Sequence, residues 1–195
     1  MKKNILLISL VAAASLFQAC SGNHSGKSGD TTKSTADSAK MSDTAKTSGT
    51  AAANPDTAFA NKAAVGGMAE VALGKLALSK SSDAKIKQFA NQMVTDHGKA
   101  NDELTGIAKN KNITLPATID AEHQAKMDSL SKLSGAEFNK AYVMAMIAGH
   151  KKTLDLMQSE ASGGQDAELK AFAAKTAPVV KMHLDMINKI HDSMK

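Results

Sequence analysis

Four side chains in this sequence combine the chemistry of metal ligands with the spacing of core residues. Glu70 shares a stripe with Phe59, Ala63, Gly66, Leu73 and Ala77, and His97 shares one with Ile86, Ala90, Met93, Ala100 and Leu104. His150 falls in line with Val143, Met146, Leu154 and Met157, and His183 with Thr176, Val180, Ile187 and Ile190. Steps of three and four place each set on one helix face. A polar group on such a face needs a partner, because burying it alone costs roughly a few kcal/mol. Each of the four lies near the middle of its own helical pattern, so they meet at one level whichever way the helices run. Inward carboxylates and imidazoles from facing helices are how helical bundles hold metals. Three neutral imidazoles and one carboxylate suit one divalent transition metal: zinc, iron or copper. Asp96, next to His97, and Tyr142 are candidates to hold the ligands from behind. A plainer reading stands beside this one, in which the four bond across a core and fix helix register with no ion.

The elements that must carry these residues are legible from caps and breakers. Pro55-Asp56 opens a helix over residues 55–80, and Ser81-Ser82-Asp83 is a turn and N-cap for a second helix reaching about residue 111. Residues 112–116 break it, and a short helix follows from 118 or 120 to 132. Ser134-Gly135-Ala136-Glu137 reads as a capping box for a third long helix, which Gly163-Gly164 ends. Asp166 caps the last helix, where Pro178 removes one backbone bond near Ala174 and is expected to kink the axis. Four helices of about 26–29 residues, each roughly 40 Å long, predict an all-α fold. The architecture expected is a four-helix bundle with a short extra helix between helices 2 and 3. Residues 55–195 suffice for one core of Ala, Leu, Met, Ile and Val, with Phe59, Phe89, Phe138 and Phe172 near the helix starts. Eleven methionines favour a pliable interior.

The N-terminal segment has a different character. Lys2 and Lys3 precede an apolar run over residues 5–17, too short for a comfortable membrane span, so residues 1–19 read as a secretory signal. Ala19 before the single cysteine, Cys20, resembles a bacterial lipobox, which implies cleavage before Cys20 and its lipidation. Acyl chains contribute roughly 0.8 kcal/mol per buried methylene, so two or three anchor a protein without spanning the membrane. Residues 20–54 hold Ser, Thr, Gly, Ala, Lys and Asp with almost no apolar bulk, and predict a flexible tether. Asp30-Thr31, Asp37-Ser38, Asp43-Thr44 and Asp56-Thr57, each followed by a further residue of small or polar type, resemble an O-glycosylation acceptor pattern of some Gram-negative bacteria. Thr31, Ser38, Thr44 and Thr57 are the acceptors this implies, and low-complexity drift is the equal alternative.

Charge excludes one class of partner. The net charge of +5 comes with 24 basic residues, all lysine, and loss of Lys2 and Lys3 lowers it to +3. Without arginine's planar fork, and with aromatics at 3%, neither base readout nor base stacking is favoured, so no nucleic-acid partner is expected.

Met68-Ala69-Glu70, Val94-Thr95-Asp96-His97, Gly149-His150-Lys151 and Ala177-Pro178 with His183 carry a family resemblance over residues 55–192. The chain resembles uncharacterised ferritin-like bacterial envelope proteins, usually labelled "predicted outer membrane protein" or a domain of unknown function. The resemblance implies a ferritin-like four-helix fold and no established activity. Ferritin-like di-iron proteins use Glu-x-x-His pairs, whereas Val94, Ile147 and Val180 stand three residues before His97, His150 and His183. A ferroxidase centre is therefore not expected. Gly-rich phosphate loops, Gly-x-Ser-x-Gly and His-Glu-x-x-His are absent from the sequence. The sequence thus reads as a non-enzymatic protein of a Gram-negative envelope, lipid-anchored to the outer membrane and facing periplasm or surface. Its Glu/His layer either binds a metal or only fixes packing in a structural or interaction module, with a metal-dependent enzyme as a remote third reading.

Overall fold

Four of the five helices begin where a side chain supplies an acceptor for the first amides. The computed structural model describes residues 54–194, and these form α1 (Pro55–Lys80), α2 (Ala84–Asn110), α3 (Ala121–Ser131), α4 (Gly135–Gly163) and α5 (Ala167–Asp192). The signal segment, Cys20, Thr31, Ser38 and Thr44 lie outside the described residues. Asn54 caps α1 through the Asp56 amide, with Pro55 at the first position. Asp83, Asp120 and Asp166 cap α2, α3 and α5. Asn112, at φ 55°, turns the chain out of α2, a conformation asparagine tolerates. The capping box expected at Ser134 does not form: its side chain makes no capping bond. Gly135 takes φ 54° there, so α4 is entered through a left-handed residue that the capping box does not use. α5 is continuous through Pro178.

The four long helices pack in a cycle, α1 on α2, α2 on α5, α5 on α4 and α4 on α1. Every neighbouring pair is antiparallel. At one end the buried Asp56 carboxylate accepts from the Gln165 and Asp166 amides, both at 2.9 Å, and Lys111 Nζ meets Asp166 at 2.6 Å. At the other end Ser81 Oγ donates to Asn139 Oδ1 at 2.8 Å and Lys80 Nζ to the Leu133 carbonyl at 2.8 Å. Residues 111–134 therefore travel the length of the domain between α2 and α4, and α3, within them, rests on α1 and α4. Among the described residues no helix is long and apolar enough to cross a membrane.

The core is split in two. Leu73, Ile86, Phe89, Met93, Phe138, Tyr142 and Ile187 belong to one apolar cluster, and Phe59, Leu104, Met157, Leu169 and Phe172 to the other. On every long helix the division falls at one of the polar residues Glu70, His97, His150 or His183.

Two glycines of α1 test the packing in opposite directions. A Cβ on Gly66 meets nothing within 4 Å, while one on Gly74 sits 3.0 Å from the Ala90 carbonyl oxygen and 3.0 Å from Val94 Cγ2. Alanine is favoured over glycine in a helix by about 1 kcal/mol. Gly66→Ala is expected to stabilise by up to that amount, and Gly74→Ala to destabilise because α2 backbone must move. Urea-denaturation midpoints with unchanged slope check both signs.

Candidate metal centre

Between the two apolar clusters, α1, α2, α4 and α5 each contribute one buried polar side chain. Glu70 and His97 are 4% exposed, and His150 and His183 are fully buried. The imidazole rings form a near-equilateral triangle, with centroids 5.5 Å apart for His97–His150, 5.2 Å for His97–His183 and 5.6 Å for His150–His183. One ring nitrogen of each lies within 4.8 Å of those of the other two. Phe89 closes one side, its ring 5.9 Å from His150 and 6.4 Å from His183.

Each imidazole has one nitrogen turned toward a partner behind it. His183 Nε2 donates to Asp96 Oδ2 at 2.9 Å, and His150 Nδ1 donates to the Met146 carbonyl at 2.9 Å. His97 Nδ1 lies 3.0 Å from Glu70 Oε2, although the pair is not aligned as a hydrogen bond. The opposite nitrogens, His97 Nε2, His150 Nε2 and His183 Nδ1, are buried with no hydrogen-bond partner among the described residues. Glu70 Oε1 accepts from Thr153 Oγ1 at 3.3 Å and lies 3.5 Å from His150 Nδ1. Gln92 Nε2 donates to Asp96 Oδ2 at 2.7 Å and braces it.

Burial controls the protonation of this layer. It holds His97 down to about 3, with His150 and His183 adding to the effect, and His150 down to about 4. It also lowers His183, against the pull of Asp96. The rings are therefore neutral at pH 7, and each offers a lone pair on the nitrogen that is not donating. Burial pushes Glu70 up to about 8, with the Thr153 hydroxyl opposing. For Asp96 burial raises the pKa, but the bonds from Gln92 and His183 outweigh it and the net shift is downward.

The sequence expectation that Glu70, His97, His150 and His183 reach one level agrees with this geometry, but their roles divide. The three imidazoles form the converging set, while Glu70 stands beside the outer nitrogens of His97 and His150. Asp96 supports His183 across the helix interface, not its chain neighbour His97. Tyr142 stacks on Phe138 at 5.9 Å, and its buried hydroxyl has no partner among the described residues. Burial and then the charge of Glu70 raise its pKa. Thr57 lies in the first turn of α1, half-buried, beside the engaged Asp56. Sequence reasoning missed Thr153, Gln92 and the Met146 carbonyl. The signal for the first two was helical spacing: Thr153 is three residues from His150, and Gln92 four from Asp96.

These shifts fix the sign of a pH effect on metal-free protein. An imidazole titrates near 6.5 when unfolded, so below that the unfolded chain takes up protons that the folded one refuses. The stability from the three rings is complete above pH 6.5 and is lost as pH falls toward the folded values. Glu70 acts oppositely, its contribution being present below its unfolded pKa of 4.5 and lost as pH rises through about 8. Three rings outweigh one carboxyl, so stability is expected to fall by roughly 1–2 kcal/mol per pH unit between pH 6 and 5. Denaturation of chelator-treated protein at both pH values checks this; a flat or rising profile contradicts it.

Comparison with known proteins adds a family and a fold. The crystal structure of a DUF305 fragment from Deinococcus radiodurans superposes with a TM-score of 0.63, covering 70% of this chain and 94% of that one at 12% identity. At that identity the likeness shows the helical fold alone. No curated protein matches the chain. The family model described as "Domain of unknown function (DUF4142)" matches residues 41–190, and the chain belongs to that family.

Proposed function

We propose that this protein is a metal-binding, non-enzymatic lipoprotein of the Gram-negative envelope, whose ferritin-like four-helix bundle holds one divalent transition metal. His97, His150 and His183 are the ligands in this reading. One observation carries it: three neutral imidazoles each bring a nitrogen within 4.8 Å of the other two and each keep one buried nitrogen without a hydrogen-bond partner, while the ring's other nitrogen faces a carboxylate or carbonyl. Leaving a buried polar atom unsatisfied costs about 1–3 kcal/mol. Three such atoms would consume much of the roughly 5–15 kcal/mol by which a domain is stable. A cation accepts all three lone pairs at once. The outer partners fix ring orientation and tautomer, as carboxylates and carbonyls do behind metal-bound histidines. Glu70, a ligand candidate from sequence, serves here as that kind of support for His97 and His150. The nitrogen set suits zinc, iron or copper.

The ferritin-like assignment draws on the antiparallel cycle of long helices with one lengthwise connection between α2 and α4. Export, cleavage before Cys20 and lipid anchoring to the outer membrane draw on the sequence of residues 1–20. Residues 20–54 then act as a tether, with Thr31, Ser38 and Thr44 its glycosylation acceptors and Thr57 set apart by its place in α1.

Metal analysis of gently purified, tag-free protein is expected to find one equivalent. Chelator should lower the melting temperature, since metal at a hundred times its Kd adds about 2.7 kcal/mol. His97→Ala should lose both the metal and the chelator response. Unchanged metal content in that variant would reject the site, and a metal-free protein indifferent to chelator would favour a packing-only layer. For the N-terminus, Cys20→Ser is expected to release the protein from the membrane fraction. Intact mass from the native host should exceed that of residues 20–195 by the acyl groups, and further by glycans if the tether is modified.

A further inference from the structure

We infer that the fourth coordination position of this centre belongs to a small anion of carboxylate or azide size, reached through the groove between α2 and α5. The inference rests on the metal reading above. Two cavities approach the polar layer from different sides. The larger, about 530 Å³, lies between α1, α4 and the α3 segment and touches Glu70 and Thr153 but none of the three imidazoles. The smaller, about 290 Å³, lies between α2 and α5 and is lined by His97 and His183 themselves, together with Asp96, Ala100, Thr176 and Val180. An external ligand meets the ring set from the second side, while His150 closes the site from behind.

Size and charge then select the ligand. The volume is at the small end for ligand sites. The exposures of His97 and His183, 4% and 0%, leave only a narrow approach to the rings. Three neutral imidazoles bring no charge to a dication, and an anion coordinated directly offsets that charge where water is scarce. Asp96 is the carboxylate beside the rings on this side, and it is held by His183 and Gln92. At the mouth Lys175 is paired with Glu103 at 2.7 Å and the charge of Lys99 acts on Asp96, so the two lysines of the groove are matched by its two carboxylates and the dication itself supplies the charge that holds an anion.

Cobalt reports the fourth ligand through its visible d–d bands. Mature protein loaded with Co2+ is titrated with sodium azide and, separately, with sodium acetate. Wild type is expected to show a saturable band shift with both anions. Ala100→Phe, and Thr176→Phe as a second filling of the same groove, should weaken anion affinity by at least about tenfold at unchanged cobalt stoichiometry. Gly66→Phe, which fills the larger cavity, should leave it unchanged, and Lys99→Glu should weaken it at low salt. Bands indifferent to both anions in wild type, or lost response in Gly66→Phe with full response in both groove variants, would overturn the assignment while leaving the metal site standing. Failure to bind cobalt would overturn the metal reading, and this inference with it.

Discussion

Three uncharged imidazoles, each held from behind and facing the other two, are the constraint to which the rest of this fold answers. They sit at the level that divides the apolar interior, with one hydrophobic cluster on either side. A triangle of rings 5.2–5.6 Å apart tolerates little sliding of one helix along another. A shift by one turn, about 5.4 Å, would move a ring out of the layer and into a hydrophobic cluster. The polar layer therefore sets register, and the apolar clusters supply the stabilisation that keeps it dry.

The fold holds this layer by fastening both ends of the helices. Asp56 ties the start of α1 to the α4–α5 turn, and Ser81 with Lys80 ties its far end to the entry of α4. Small residues let the axes approach: Gly74 meets α2 backbone with no room for a methyl group. Aromatic rings brace the two sides unequally. Phe89 packs against two of the imidazoles, with Tyr142 against Phe89 and Phe138 stacked on Tyr142, whereas Phe59 and Phe172 pair in the other cluster.

Placing ionisable groups at two depths gives the site its chemistry. The rings lose their protons because they are buried, and the groups behind them are polar because each ring's second nitrogen must also be satisfied. Asp96 is only partly buried, which keeps it ionised while it orients His183. Glu70 is deep and shifts the other way. Two carboxyls at one level thus differ in charge because Glu70 is deeper and because Gln92 and His183 donate to Asp96.

The sequence by itself determined where the long helices lie, which face of each is buried, and that one acid and three histidines occupy mid-helix core positions. Those features are local: caps, breakers and the 3.6-residue period act within one segment. Expectations for Cys20 and the tether acceptors also belong to the sequence, since they fall outside the described residues. Only the tertiary structure decided that the histidines converge while Glu70 stands beside them, that Asp96 serves a histidine on another helix, and that the Ser134 box fails. Periodicity fixes a side chain's angle about its own helix axis to within tens of degrees. Which nitrogen faces inward depends on the rotamer and on the distance to neighbouring helices, both set by how four separate segments pack.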